Sequence, residues 1–179
     1  MRKLLNQELG RKSIKEFHEA QKKPFVVVLD NVRSANNVGS IFRTADAFLL
    51  EGVCLCGITA VPPNPEIHKT ALGGELTVAW KHFSTTLEAI QELKSEGYTI
   101  ISIEQTENSI LLPDFTVDCQ KKYALVLGNE VDGVEQTVID ASHASLEIPQ
   151  WGSKHSLNIS VAAGIVLWDM VNKHTRFCL

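Results

Sequence analysis

Five short runs of almost unbroken apolar sequence, several rich in β-branched residues, set the strongest limit on what this chain can fold into. They are Phe25 to Leu29, Gly52 to Ile58, Tyr98 to Ile103, Tyr123 to Leu127 and a briefer Ser145 to Ile148. A strand with one face in water alternates apolar and polar residues, whereas a strand covered on both faces does not. Between the runs lie patterns with helical spacing, over Asn37 to Phe48, Thr85 to Ser95, Gln136 to Ser142 and Ser156 to about Asn172. Strand and helix alternate, which predicts an α/β fold with a mostly parallel sheet and helices on both faces. Residues 60 to 75 read as one long irregular loop, because Pro62, Pro63, Pro65, Gly73 and Gly74 exclude a continuous helix or a central strand. Such a loop is either a plain surface excursion or a substrate-facing segment.

The chain has 179 residues, enough for one packed core and short for two. A hydrophobic content of 44% with 21% charged residues fits a globular domain and excludes a disordered segment. The net charge of −4 at first tells against nucleic acid, since contacts from lysine and arginine to phosphate supply most non-specific affinity. The charge is uneven, however. Residues 1 to 23 carry seven basic and three acidic side chains, a surplus of +4, and the other 156 residues are left at −8. A basic arm (1–23) therefore precedes an acidic domain (24–179). The arm is either a solvated face or a source of cations for a partner, and Ile14 and Phe17 are spaced for one further helix within it. Cys54, Cys56, Cys119 and Cys178 match no zinc spacing, and the N-terminus lacks the apolar core of a signal peptide. They read as reduced thiols in a soluble cytoplasmic protein, and no apolar run approaches the roughly 18 residues of a membrane span.

Three polar clusters stand where strands give way to helices, the places at which parallel sheets bind ligands. The first, Asn31 to Thr44, has Asn36 or Asn37 placed to cap a helix, with Arg33 before the helix and Arg43 within it. Six residues do not return to one helix face, so Asn37 and Arg43 can meet only if Asn37 lies in the turn ahead of the helix. The plain alternative is a capping asparagine and a surface ion pair for Arg43. In the second cluster, Gly128 and Gly133 bracket Glu130 and Asp132, which fits either a tight turn or a loop whose backbone approaches a ligand. It is neither a Walker loop nor a Rossmann fingerprint. The third runs from Ile148 to Ser160. Ser156 is placed to cap the last helix, and Asn158 then lies in its first turn, where free N–H groups favour polar or anionic ligands. His155 reads as a loop histidine, since adjacent helical residues do not face each other, and Trp151 as a packing residue.

Taken in order, Asn37-x5-Arg43, Gly128-Asn129-Glu130-x2-Gly133 and Ile148-Pro149 followed by Ser156-Leu157-Asn158-Ile159-Ser160-Val161-Ala162 form a far more specific pattern. It resembles the SpoU (TrmH-like) family of RNA 2′-O-ribose methyltransferases, part of the SPOUT superfamily, over residues 24 to 172. The resemblance implies a C-terminal segment threaded as a deep trefoil knot, built from the segments around Gly128 and from Ile148 onward. It implies S-adenosyl-L-methionine (AdoMet) bound there by backbone groups that fall on Gly128, Ile148 and Leu157. It also implies a homodimer whose pocket is completed across the interface, with catalytic positions at Asn37, Arg43, Glu130, Ser156 and Asn158. The reaction implied is in-line attack of a ribose 2′-hydroxyl of tRNA or rRNA on a sulfonium methyl, for which no metal is needed. Arg43 matches the family's central arginine. A guanidinium stays protonated, so its expected part is to grip a phosphate beside the ribose while a phosphate oxygen or water takes the proton. The sequence has no separate RNA-binding domain ahead of the first strand, which leaves RNA selection to the arm, the loops and the dimer, with tRNA slightly favoured. A base-modifying SPOUT enzyme and a catalytically idle RNA-binding factor of the same fold are the competing readings.

Overall fold

The computed structural model describes residues 1–178. Seven strands form one sheet: β1 (Lys23–Asp30), β2 (Leu50–Cys56), β3 (Trp80–Phe83), β4 (Tyr98–Ile103), β5 (Ile110–Leu111), β6 (Lys122–Leu127) and β7 (Ala144–Glu147). Their spatial order is β3-β2-β1-β6-β4-β7-β5, and every neighbouring pair is parallel. The unbroken apolar runs have the expected cause. Phe25, Val27 and Leu29 of β1 face one buried cluster, and Val26 and Val28 face a second on the opposite side. Helices α2 (Ala35–Ala47) and α7 (Ile159–Phe177) cover the first side; α5 (Thr86–Ser95) and α6 (Gln136–Ala141) cover the second. The sheet is also wound out of sequence. Strand β6 enters between β1 and β4, and β7 between β4 and β5, so the carboxyl ends of β4, β6 and β7 lie side by side.

Local chemistry explains most helix starts, including two that differ from expectation. Ser34, not Asn36 or Asn37, caps α2, its hydroxyl accepting from the Asn37 N–H at 3.3 Å. Asn158, not Ser156, caps α7 by accepting from the Ser160 N–H at 2.9 Å. Thr85 and Glu88 form a capping box at α5, and Ser13 and Glu16 another at α1 (Ile14–Glu19). Phe17 of α1 is buried in the first cluster, whereas Ile14 stays exposed, so the predicted apolar stripe is a single anchor. Strands β3 and β5 went unpredicted because they are edge strands with little to bury: only Phe83 of β3 is buried, and β5, though apolar, is two residues long and exposed.

The segment 60–75 is not one irregular loop. It contains α3 (Pro65–Ala71) and the start of α4 (Gly74–Thr77). Pro65 opens α3 where its missing N–H costs nothing, with the Asn64 side chain accepting from the N–H groups of Glu66 and Ile67. The break comes at Leu72 and Gly73, both at positive φ (52° and 95°). These two helices brace α2. An ideal Cβ on Gly39 of α2 would lie 2.3 Å from the Ile67 carbonyl oxygen and 2.1 Å from the Thr70 hydroxyl, and that hydroxyl donates to the Asn36 carbonyl at 2.9 Å. Gly74 packs on the α2 backbone at Phe42 and Arg43. Glu75 is buried and pairs with His68 Nδ1 at 2.5 Å. Burial pushes its carboxyl up, but the hydrogen bond from His68 and nearby backbone donors outweigh that and hold it below the usual range. Gly39→Ala is expected to cost about 1–3 kcal/mol of stability, the usual cost of overpacking a tight contact, and to lower the urea midpoint accordingly. An unchanged midpoint would mean that α3 is not held against α2.

The reading of all four cysteines as thiols is corrected for two of them. Cys119, ahead of β6, and Cys178, at the end of α7, form a disulfide with Cα atoms 5.2 Å apart, although 59 positions separate them in sequence. The fold brings together what spacing could not reveal. Cys54 and Cys56 remain free and buried on the second side, their thiols pushed up to about 12, chiefly by burial. Among the described residues no helix is long and apolar enough to cross a membrane.

Candidate active site

A cleft of about 320 Å³ opens where β4, β6 and β7 end and α7 begins. Its floor is the loop that follows β6. The Asn129 N–H donates to the Gly133 carbonyl and the Gly133 N–H to the Asn129 carbonyl, both at 3.1 Å, which closes the loop on itself. The Asn129 side-chain oxygen accepts from the N–H groups of Val131 and Asp132, both at 2.9 Å. Gly128 is required here in the strict steric sense, since a Cβ on it would lie 1.9 Å from the Gly133 carbonyl carbon and 2.1 Å from the Val134 nitrogen. Gly133 has φ +70°, a left-handed conformation that favours glycine. The tight-turn reading of this cluster holds, and the turn presents Glu130.

Glu130 is the first member of a hydrogen-bonded chain. Asn37 Nδ2 donates to Glu130 Oε1 at 2.8 Å, and Asn158 Nδ2 donates to Asn37 Oδ1 at 3.2 Å. Asn158 Oδ1 also accepts from the Ser160 hydroxyl at 2.6 Å. Three segments remote in sequence meet at these contacts: the first turn of α2, the loop after β6 and the cap of α7. The corrected caps explain how. Because Ser34 caps α2, the Asn37 side chain is free to bridge to the other two segments.

The remaining predicted positions are placed differently. Arg43 is exposed, and among the described residues it makes no side-chain hydrogen bond or ion pair. Six helical residues carry it about 9 Å along α2 from Asn37 and roughly 120° around the axis, so the structure does not bring the two side chains together. Ser156 is exposed on the cleft rim, and Gly128, Ile148 and Leu157 line the cleft. His155 is a loop residue whose carbonyl accepts from Gln105 Nε2 at 3.3 Å. Trp151 is corrected: it is 92% exposed, within a stretch, 151 to 158, in which every residue is exposed. It rims an apolar groove lined by Pro113, Val161, Ile165 and Trp168, which adjoins the cleft through the shared residue Ile148. Two cleft residues escaped the sequence reading, Glu104 and Gln105. A partial signal was available, since they are the first polar side chains after the β4 run, although that strand leads to β5 and not to a helix as at the other three clusters.

The chemistry of the cleft is one-sided. Ile103, Leu127, Leu146, Ile148 and Leu157 supply apolar wall, and the charged side chains are Glu104, Glu130, Asp132 and Glu147, with no lysine or arginine. Such a lining suits a ligand with a flat apolar part and a positive charge and repels a polyanion, so cations for any nucleic acid must come from outside it.

A parallel α/β sheet carrying a ligand cleft and a three-segment polar site at its carboxyl edge defines the class. The chain belongs to the SpoU rRNA Methylase family, whose model matches residues 24–168. It is 32% identical over 151 residues to the 23S rRNA (guanosine-2′-O-)-methyltransferase RlmB of Nitrosomonas europaea, covering 84% of this chain and 57% of that enzyme. It is 30% identical to the tRNA (guanosine(18)-2′-O)-methyltransferase of Aquifex aeolicus, over 88% of this chain and 74% of the relative. The chain thus spans a little over half the length of some curated relatives it matches. Among solved structures, the TrmH/SpoU tRNA modifying enzyme of A. aeolicus superposes with a TM-score of 0.79 at 26% identity, over 91% of this chain and 83% of the other. An rRNA methyltransferase of Sinorhizobium meliloti, solved with AdoMet bound, gives 0.77 at 28% identity, over 87% and 59%.

Proposed function

We propose that this chain is an AdoMet-dependent enzyme that methylates a ribose 2′-hydroxyl in tRNA or rRNA. The observation that carries the reading is the Glu130–Asn37–Asn158 hydrogen-bond chain at the mouth of an apolar-walled, anionic cleft. The residues fit the cofactor: apolar walls suit its adenine, and the carboxylates suit a ligand carrying a sulfonium and an ammonium group. When bound, AdoMet supplies an electrophilic methyl group. Backbone groups of Gly128, Ile148 and Leu157 would hold it, and the insertion of β6 and β7 between earlier strands supports the trefoil knot expected of this segment.

The chain's own residues then align the nucleophile. Asn37 and Asn158, fixed by each other and by Glu130, offer amide groups to the ribose, with the Ser156 hydroxyl on the same rim. Alignment supplies most of the acceleration in an in-line displacement of this kind. Arg43 grips the phosphate beside the target ribose, and the hydroxyl proton leaves to a phosphate oxygen or to water. Since Arg43 does not line the cleft of its own chain, a homodimer completes the site, each copy lending its Arg43 to the other. The groove of Trp151, Ile165 and Trp168 is the apolar face that the second copy buries, and it adjoins the cleft.

Residues 1–23 act as a basic arm and 24–179 as the catalytic domain. Part of the arm's charge is spent internally, Arg2 on Glu8 at 2.5 Å, Lys15 near Glu19 and Lys22 on the Phe17 and Ala20 carbonyls, and Lys23 lies in β1, which leaves Lys3, Arg11 and Lys12 for RNA. A tRNA or rRNA substrate places the enzyme in the cytoplasm. The reading is tested by deleting the gene and quantifying 2′-O-methyl nucleosides in purified tRNA and rRNA by mass spectrometry. One nucleoside should vanish and return with the wild-type protein; an unchanged profile in both pools would sink the proposal.

A further inference from the structure

We infer that Glu104, together with Gln105, is a positioning pair that clamps both walls of the cleft; the inference rests on the reading above. The two residues leave the end of β4, and the Glu104 N–H is anchored to the Leu146 carbonyl of β7 at 3.0 Å. From there each side chain reaches a different wall. Glu104 Oε2 accepts from the Val134 N–H at 3.1 Å, and Oε1 accepts from the Gln105 N–H at 2.9 Å, so both oxygens of the carboxylate are held by backbone. Gln105 Nε2 donates to the His155 carbonyl at 3.3 Å. The first contact fixes the loop that presents Glu130; the second fixes the segment that carries Ser156 and Leu157.

The loop is shaped to receive this carboxylate. A Cβ on Gly133 would lie 2.2 Å from Glu104 Oε2, so the acid occupies the space that a side chain at position 133 would need. Apolar burial anchors only the ends of the walls: Leu127, Val134 and Ile159 are buried, whereas Val131 is 68% and Trp151 92% exposed. Between those anchors the exposed stretches take their position from polar tethers, and a carboxylate accepting backbone N–H bonds is a strong one. Glu104 thus acts through Glu130 and the cofactor cleft and not on the reacting atoms.

The variants are Glu104→Gln and Gln105→Leu. Glutamine keeps the shape but has one acceptor oxygen, so its amide donor must face the N–H of either Gln105 or Val134. Amide hydrogen exchange of the ligand-free protein is read first. In Glu104→Gln, peptides covering 128–134 should exchange about tenfold faster or more, while β1 and α5 stay protected, which also establishes folding. Gln105→Leu should loosen 150–158 in the same way. Calorimetric titration with AdoMet is read second and should show affinity about tenfold weaker for Glu104→Gln than for wild type. Unchanged exchange at 128–134 overturns the clamp, and faster exchange with unchanged affinity overturns its positioning role. If the wild type takes up no AdoMet, the functional reading fails instead, and the exchange comparison still decides the clamp.

Discussion

Replacing Arg43 by alanine is expected to lower methyl transfer by about 10²- to 10³-fold, the range seen when one preorganised charge-stabilising donor is removed, with AdoMet affinity changed by about twofold at most. The asymmetry follows from placement. Arg43 is exposed, and the cleft lining contains no arginine, so its loss leaves both the fold and the cofactor cleft intact. Arg43→Lys separates charge from shape, because lysine is a point charge and cannot make the two parallel bonds of a guanidinium. Full activity in the lysine variant would contradict the bidentate grip. The shared-site geometry makes a sharper demand. If the proposed homodimer shares its sites, Arg43→Ala and Glu130→Ala proteins are each expected to be nearly inactive alone, and a mixed dimer would have one site with both residues intact. Random mixing should restore about a quarter of wild-type activity, since half of the dimers are mixed and each has one competent site. No recovery on mixing, with exchange of subunits verified, would place the whole site within one chain.

Gly128→Ala is expected to be the most damaging conservative change in the cleft. The added carbon has no room, at 1.9 Å from the Gly133 carbonyl carbon and 2.1 Å from the Val134 nitrogen, and the obstacle is backbone, not a flexible side-chain end. The turn must open, releasing the Asn129–Gly133 bridge and with it the contact from Asn37 to Glu130. The expected outcome is loss of measurable AdoMet binding by titration and a destabilisation of about 1–3 kcal/mol in denaturant melts, the cost of overpacking a tight site. Wild-type affinity in this variant would show that the turn is not part of the cofactor site.

The sheet was legible because burial on both faces leaves a mark in sequence: the runs at Phe25 and Tyr123 became adjacent strands of the parallel sheet. Strands β3 and β5 left no such mark, since an edge strand such as Trp80–Phe83 is held by its ladder and has little of its own to bury. The braced segment at 60–75 was misread for a related reason. Prolines and glycines announce where a helix cannot continue, yet Pro65 marks where one starts, and only Ile67 seated in the core and Gly39 beneath it tell the cases apart. At the site, Asn37, Glu130 and Asn158 were found as residue types at junctions, but the contact from Asn37 to Asn158 spans 121 positions and depends on a serine three residues earlier taking over the cap. Glu104 could be flagged as the first polar side chain after the β4 run, but its partner is a backbone N–H, to which sequence pattern is blind.

The insertion of β6 between β1 and β4 has a consequence for how the molecule comes into being. While residues 1 to 121 emerge during synthesis, the central slot of the sheet has no occupant, and β1 and β4 have no strand between them to join the two halves. The last pieces made are therefore the ones that complete the middle, and the contacts they form are long in sequence, which slows folding. Assembly of the binding cleft and closure of the sheet are one late event, so a half-made chain has neither.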